Sequence, residues 1–144
     1  MDKERLNAEI QSCEGFRPYC YPDSEGYMTI GIGRLCDKRK IGSGLSKDEA
    51  FYLLNNDIDK CIAELDRRLP WWRKLSDGRQ RAIVNMAFQL GVDGLLKFRN
   101  SLVALIDALT TENYNRAADM FLQSEWAKQT PERAKFVTDL IRKG

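Results

Sequence analysis

The 144-residue sequence contains no histidine. Without an imidazole, the chain has no Ser/His or Cys/His catalytic pair, no histidine metal ligand and no histidine pH switch. Acid–base chemistry must therefore come from carboxylates, or from Lys, Tyr or Cys side chains.

Cysteine is sparse, and its spacing carries no metal signature. The four cysteines include no C-x-x-C pair, which gives little support to an all-cysteine zinc site. We therefore expect no metal and no cofactor. Cys13 and Cys61 fall at apolar helical positions and are predicted to be small core residues with free thiols, as in a reducing compartment.

Long apolar runs are also absent. No stretch approaches the roughly 20 apolar residues that a membrane-spanning helix needs. The first ten residues, MDKERLNAEI, are charged and lack the apolar region of a secretory leader. We expect a monomer that is made in a cytoplasm without a signal peptide and has no stable membrane insertion.

Two side-chain pairs each allow a functional and a structural interpretation. Basic pairs such as Arg67-Arg68 are interspersed with acids and accompany no nucleic-acid motif, so they indicate a solvated face and no nucleic-acid partner. Trp71-Trp72 fits either a sugar-stacking platform or a plug at a helix junction, and the plug is the favoured interpretation.

The order of elements predicts a mostly helical α+β fold with a small antiparallel sheet. Residues 2–14 carry apolar side chains at helical spacing and predict a helix that ends before a glycine. Residues 17–33 consist of two extended runs around a turn and predict a β-hairpin. A capping-box pattern starts a long helix over 46–69. Apolar side chains at helical spacing predict further helices at 77–90, after 100, at 112–124 and from 131.

This order predicts a single domain, residues 1–144, with two lobes. We expect an N-terminal lobe over about 15–50, a connecting helix over about 46–69, and a helical lobe over about 70–144 that also includes the helix of residues 2–14.

Two carboxylates in contrasting surroundings are the strongest chemical candidates. Glu14 ends a helix, where the negative pole and a neighbouring Phe16 favour the protonated form that a general acid needs. Asp23 lies in a polar turn that favours its ionised form, and the hydroxyl of Thr29 is placed to hold a water. Gly31 and Gly33 share a strand face with Thr29, and their missing side chains predict close approach of a ligand or another backbone.

The motif E-G-x-x-x-x-x-Y-x-D-x-x-G-Y-x-T-I-G-I-G, which begins at residue 14, resembles the start of phage-type lysozymes, the endolysins of T-even phages. Similar segments follow in the family's order over most of the chain: S-K-D-E-A at 46–50, N-M-A-F-Q-L-G at 85–91, F-R-N-S-L at 98–102 and W-A-K-Q-T-P-E-R-A at 126–134. The resemblance implies a lysozyme-like fold and a bacteriolytic enzyme that acts on the periplasmic cell wall after release.

The resemblance also implies a mechanism. Glu14 would protonate the leaving oxygen between N-acetylmuramic acid and N-acetylglucosamine, and a water placed by Asp23 and Thr29 would attack with inversion. Two alternatives remain: a lytic transglycosylase, which needs no water-placing residues, and a non-catalytic wall-binding module, which needs no acid.

Further site residues follow from the resemblance alone. Leu35, Phe88 and Ser101 would line the sugar cleft, and Arg133 would lie near Glu14 and favour its ionised form. The structural alternatives are core packing for Phe88, a helix N-terminus for Ser101 and an exposed first-turn position for Arg133.

This chain departs from the family at several positions. Arg34 stands where many relatives have histidine, and we expect it to pair with Asp57. Residues 35–45 form a shorter connection than in the T-even enzymes, and Met120 replaces a frequent asparagine that contacts sugar.

Overall fold

The computed structural model describes residues 1–39 and 44–144. The described chain forms two compact units, Met1–Tyr52 and Leu53–Gly144. The predicted fold class is confirmed: helices dominate, and the sheet is small and antiparallel. The sequence predicted that the helix of residues 2–14 belongs to the helical lobe. Because that helix and the lobe lie in different units, this stays a prediction. No described helix combines the length and the apolar character needed to cross a membrane.

The first helix, α1 (Lys3–Glu14), has defined ends. The side chain of Asp2 accepts a hydrogen bond from the Arg5 amide at 3.0 Å, and Gly15 ends the helix with a φ of 71°. No residue of α1 is buried, and Cys13 is exposed. The predicted core position of Cys13 is therefore wrong, because this mostly polar helix has only a narrow apolar stripe.

Three short strands follow: β1 (Arg17–Pro22), β2 (Met28–Gly31) and β3 (Arg34–Leu35), in the order β1-β2-β3. Both pairings are antiparallel, so the predicted hairpin is confirmed. The second extended run ends at Gly31, earlier than predicted. Gly31 and Gly33 have positive φ angles of 69° and 64°, and the backbone turns between them into β3.

The long helix α2 (Lys47–Arg68) begins with the predicted capping box. The Ser46 amide donates to Glu49 Oε2 at 2.8 Å, and the Glu49 amide donates to Ser46 Oγ at 3.2 Å. The same carboxylate accepts from Arg34 Nη2 at 2.6 Å. Arg34 thus has a carboxylate partner within the first unit, and Asp57 pairs with Lys60 at 3.0 Å within the second. The predicted Arg34–Asp57 pair concerns both units together and stays a prediction.

The second unit is helical. It includes α2 from Leu53 onward and a 3₁₀ turn at Pro70–Lys74. The helices that follow are α3 (Asp77–Leu95), α4 (Arg99–Thr111), α5 (Asn115–Leu122), α6 (Glu125–Gln129) and α7 (Pro131–Lys143). The predicted stop at Gly91 appears as a kink inside α3, where the φ of Gly91 is 69°. The short α6 was not predicted, because five residues are too few for a periodic pattern.

One apolar core holds this unit together. Trp72 is 1% exposed, and its indole N–H donates to Asp66 Oδ1 at 2.8 Å, which supports the helix-junction interpretation of the tryptophan pair. Cys61 is partly buried and packs against the core, in agreement with its prediction. The fully buried members include Leu65, Ile83, Met86, Leu95, Leu105, Phe121, Val137 and Ile141.

The capping box makes stability depend on acid pH. The pKa of Glu49 lies below its ordinary 4.5, chiefly because the Ser46 backbone N–H donates to the carboxylate, with smaller contributions from the Ser46 hydroxyl and Arg34. A lowered pKa means that Glu49 stabilises the fold above its unfolded-state pKa and loses that effect as pH falls through the folded-state pKa. Glu49→Gln should therefore be less stable than the parent at neutral pH, and the two should converge in acid.

Urea unfolding from pH 7 to pH 3 measures this convergence. Asp57→Asn is the matched control, since it removes an exposed carboxylate of the same helix. A difference in free energy of unfolding between parent and Glu49→Gln that stays constant with pH would contradict this explanation. An equal pH-dependent loss of stability in Asp57→Asn would contradict it too.

Candidate active site

Glu14 is the last residue of α1, and its side chain is exposed. The helix stops there because Gly15 takes a positive φ of 71° while its N–H donates to Gln11 O at 2.9 Å. Phe16 is 65% exposed, so the prediction that it desolvates Glu14 is wrong. The carboxyl group is therefore presented at a helix end with open access.

The turn between β2 and β3 packs closely against this carboxyl group. A Cβ atom built on Gly33 would lie 2.6 Å from Glu14 Oε2 and 2.9 Å from Glu14 Cδ. No real side chain tolerates that separation, so the missing side chain of Gly33 makes room for the carboxyl group. The sequence predicted close approach of a ligand or backbone at Gly31 and Gly33. At Gly33 the approaching group is the Glu14 side chain, and no atom lies within 4 Å of a Cβ built on Gly31.

Asp23 follows β1 and is held by the turn that it starts. Its Oδ1 accepts from the backbone N–H groups of Glu25 at 2.9 Å and Tyr27 at 2.8 Å. The Asp23 amide also donates to Tyr27 O at 2.9 Å. Within residues 1–39 and 44–144, no hydrogen bond occupies Oδ2, so one carboxylate oxygen has a fixed direction and remains available.

Thr29 lies in the middle of the sheet and is 5% exposed. It stands opposite Tyr21 of β1 and Leu35 of β3 in the strand register. Its hydroxyl donates to Tyr27 O at 3.3 Å, which leaves the oxygen lone pairs free to accept. Leu35 is half-buried beside Thr29. Within the first unit, the structure thus brings together two of the predicted site residues by direct strand pairing.

An aspartate–arginine pair that the sequence did not single out supports the Asp23 turn. Arg39 Nη2 donates to Gly26 O at 3.2 Å, and its guanidinium carbon lies 4.8 Å from the centre of the Tyr27 ring. Asp37 is 9% exposed and accepts from the Arg39 side chain. These hydrogen bonds hold the pKa of Asp37 far below its usual range. The sequence feature that could have identified this pair is an acid two residues before an arginine in a loop.

Phe88 and Arg133 line one groove of the second unit, with a volume of about 480 Å³. Phe88 is 41% exposed, so the core-packing alternative is wrong. Arg133 is partly buried rather than exposed, and its Nε donates to Asn85 Oδ1 at 2.8 Å. That Arg133 lies near Glu14 stays a prediction. The apolar wall of the groove includes Leu54, Ile58, Ile62 and Val84.

Ser101 and Met120 line a separate pocket of about 460 Å³. Ser101 is 5% exposed and lies in the first turn of α4, so the helix-N-terminus interpretation is correct for its location. The pocket wall is mainly polar and basic, and it includes Lys97, Arg99, Asn100 and Gln123. Phe88 and Ser101 therefore belong to different pockets of the second unit.

Comparison with known proteins is consistent with this geometry. Residues 11–143 match the family described as phage lysozyme. The chain is 33% identical to the pre-baseplate central spike protein of Enterobacteria phage T4, over 91% of this chain and 26% of that protein. It is 30% identical to the probable T4-type lysozyme 1 of Dictyostelium discoideum, over 91% and 89% of the two chains. The endolysin of Salmonella phage P22 is 30% identical, over 83% and 80%.

Replacing Gly33 by alanine should displace the Glu14 carboxyl group, because the new Cβ would occupy its place. We expect the side-chain carboxyl carbon resonance of Glu14 to shift in a carbon-detected NMR spectrum, and a loss of stability of about 1 kcal/mol from the left-handed backbone.

Gly31→Ala is the matched control. Gly31 has nearly the same φ, 69°, but no atom lies within 4 Å of the position of its Cβ. Both variants should lose similar stability, and only Gly33→Ala should move the Glu14 resonance. A similar Glu14 shift in both variants would contradict the assignment of close contact to Gly33.

Proposed function

Because this chain belongs to the phage lysozyme family, we propose that it is a peptidoglycan hydrolase. The bond that it cleaves would be the β-1,4 linkage between N-acetylmuramic acid and N-acetylglucosamine. The observation that carries the proposal is the packing of the Glu14 carboxyl group against Gly33, at the turn that ends the strand bearing Thr29. This packing places an exposed carboxyl group beside the sheet.

Glu14 is the proposed general acid. Cleavage of a glycosidic bond needs a proton on the leaving oxygen as the bond to the anomeric carbon breaks. The exposed carboxyl group of Glu14 is accessible to a sugar. A bound glycan would also exclude water from the carboxyl group during the proton transfer.

Asp23 and Thr29 are the proposed holders of the attacking water. Oδ1 of Asp23 is occupied by two backbone amides, which aim Oδ2 in a constant direction. The Thr29 hydroxyl has lone pairs that can accept from the same water. The water oxygen would bond to the anomeric carbon from the face opposite Glu14, and its proton would pass to Asp23, so the product anomer is inverted.

Phe88 and Ser101 are proposed sugar contacts of the second unit, and Leu35 is the proposed contact of the first. The exposed ring of Phe88 presents an apolar face of the kind on which sugar rings pack. We further propose that the enzyme acts as a monomer on the periplasmic wall, after synthesis in a bacterial cytoplasm and release by another factor.

Two rivals make different predictions about the product. A lytic transglycosylase would use the sugar's own hydroxyl and leave an anhydro end, without any need for Asp23 and Thr29. A wall-binding module would adhere to peptidoglycan and release no sugar ends. The amide-held carboxylate of Asp23 favours hydrolysis over both rivals.

Glu14→Gln and Asp23→Asn should each lower the rate of lysis of permeabilised Gram-negative cells by about 100-fold or more, because each removes a group needed in the transition state. Turbidity measures lysis, and reducing-end release from purified peptidoglycan measures bond cleavage. Glu9→Gln, an exposed carboxylate of the same helix, is the control and should keep full activity.

The products decide between hydrolysis and its rivals. Mass spectrometry should find hydrated ends, and early NMR spectra of a soluble glycan should find the α-anomer. Anhydro ends would establish the transglycosylase, an early β-anomer would exclude inversion, and wall binding without new ends would exclude catalysis.

Phe88→Ala should raise KM about tenfold and change kcat less, because a stacked ring contributes roughly 1–1.5 kcal/mol. Phe136→Ala serves as the control, since Phe136 is 55% exposed on α7 and lines neither described pocket. An equal change in both variants would show that Phe88 has no particular role in sugar binding.

A further inference from the structure

Two cysteine thiols meet across the small sheet. Cys20 belongs to β1, and Cys36 directly follows β3, yet their sulfur atoms lie 3.9 Å apart. The two outer strands therefore bring residues 16 positions apart into contact over the central strand. A disulfide needs about 2.05 Å between the sulfurs, so the two thiols are already neighbours and must still move closer to bond.

The sheet determines the position of both thiols. The Cys36 amide donates to Met28 O at 2.9 Å, and the Cys36 thiol lies 3.3 Å from the same oxygen. The next residue after Cys20, Tyr21, is paired with Thr29. Cys36 is thus held by a backbone hydrogen bond to β2, and Cys20 lies beside the paired Tyr21, in the part of β1 where the register shifts.

The surroundings also assign an order of reaction. Cys20 is exposed, so an external disulfide can reach it. The pKa of Cys36 is raised, first by burial and then by Cys20 and Asp37, which makes Cys36 a poor first nucleophile. Cys20 therefore reacts first, and Cys36 resolves the intermediate.

We propose that Cys20 and Cys36 form a reversible disulfide when the protein meets a small-molecule or protein disulfide. The Cys20 thiolate attacks one sulfur of that disulfide, forms a mixed disulfide and releases one thiolate. The Cys36 thiolate then attacks Cys20 Sγ and releases the second thiolate. The two protons lost by the cysteines are taken up by the two released thiolates, and the external disulfide is reduced to two thiols.

The bond would link the strands that flank Thr29. The closed loop runs from residue 20 to residue 36, and it contains the Asp23 turn, β2 and the Gly33 turn. A covalent link here limits separation of β1 and β3 from β2, because it restricts the unfolded chain. The modification is separate from the proposed glycosidase chemistry, since neither thiol contacts the reacting carboxylates in any described interaction.

Oxidised and reduced glutathione buffers test the proposal. A protease that cuts after glutamate places each cysteine in its own peptide, at residues 10–14, 15–25, 26–49 and 50–64. After oxidation, trapping of free thiols and digestion, we expect a linked pair of peptides 15–25 and 26–49, with 10–14 and 50–64 alkylated. The thermal midpoint of the first unit's unfolding should rise by about 5 °C on oxidation.

Two variants distinguish a disulfide between Cys20 and Cys36 from general thiol oxidation. Cys13→Ser/Cys61→Ser keeps the pair and should form the same link with the same thermal shift. Cys36→Ser should stop at a glutathione adduct on Cys20 and show no thermal gain. Links that involve residues 10–14, or glutathione adducts without a 20–36 link in the parent, would overturn the proposal.

Discussion

The carboxyl group of Glu14 occupies space that a side chain on Gly33 would fill. This contact joins the end of α1 to the turn between β2 and β3, and it needs a glycine with a positive φ at that point. The helix stop at Gly15 is the second requirement, because it fixes where the carboxyl group leaves the helix. The proposed proton donor therefore depends on two glycines rather than on a buried pocket.

The water-placing part of the candidate site is built by backbone hydrogen bonds. Asp23 is held by amides of its own turn, and Thr29 by its place in the central strand. Arg39 adds a contact to the same turn and is itself held by Asp37. Such a site is assembled by local geometry within about 40 residues, so its parts can be oriented without a large core.

Arginine side chains perform a structural task in this first unit. Arg34 binds both the Gly44 carbonyl and the Glu49 carboxylate, and thereby ties the end of the sheet to the start of α2. A histidine at position 34 would lose its charge near neutral pH, whereas a guanidinium keeps it. The capping-box glutamate thus serves two partners, which is why its pKa is lowered.

The features set by local chemistry could be predicted from the order of residues. The stop after Glu14, the capping box at Ser46 and the glycine at position 33 follow from backbone preferences that act within a few residues. The tertiary structure alone decided which side chains meet. It gave Arg34 the carboxylate of Glu49 as a partner, exposed Phe88 and Cys13, and brought Cys20 to Cys36. Those outcomes depend on strand register and on the reach of side chains between elements, which residue periodicity does not encode.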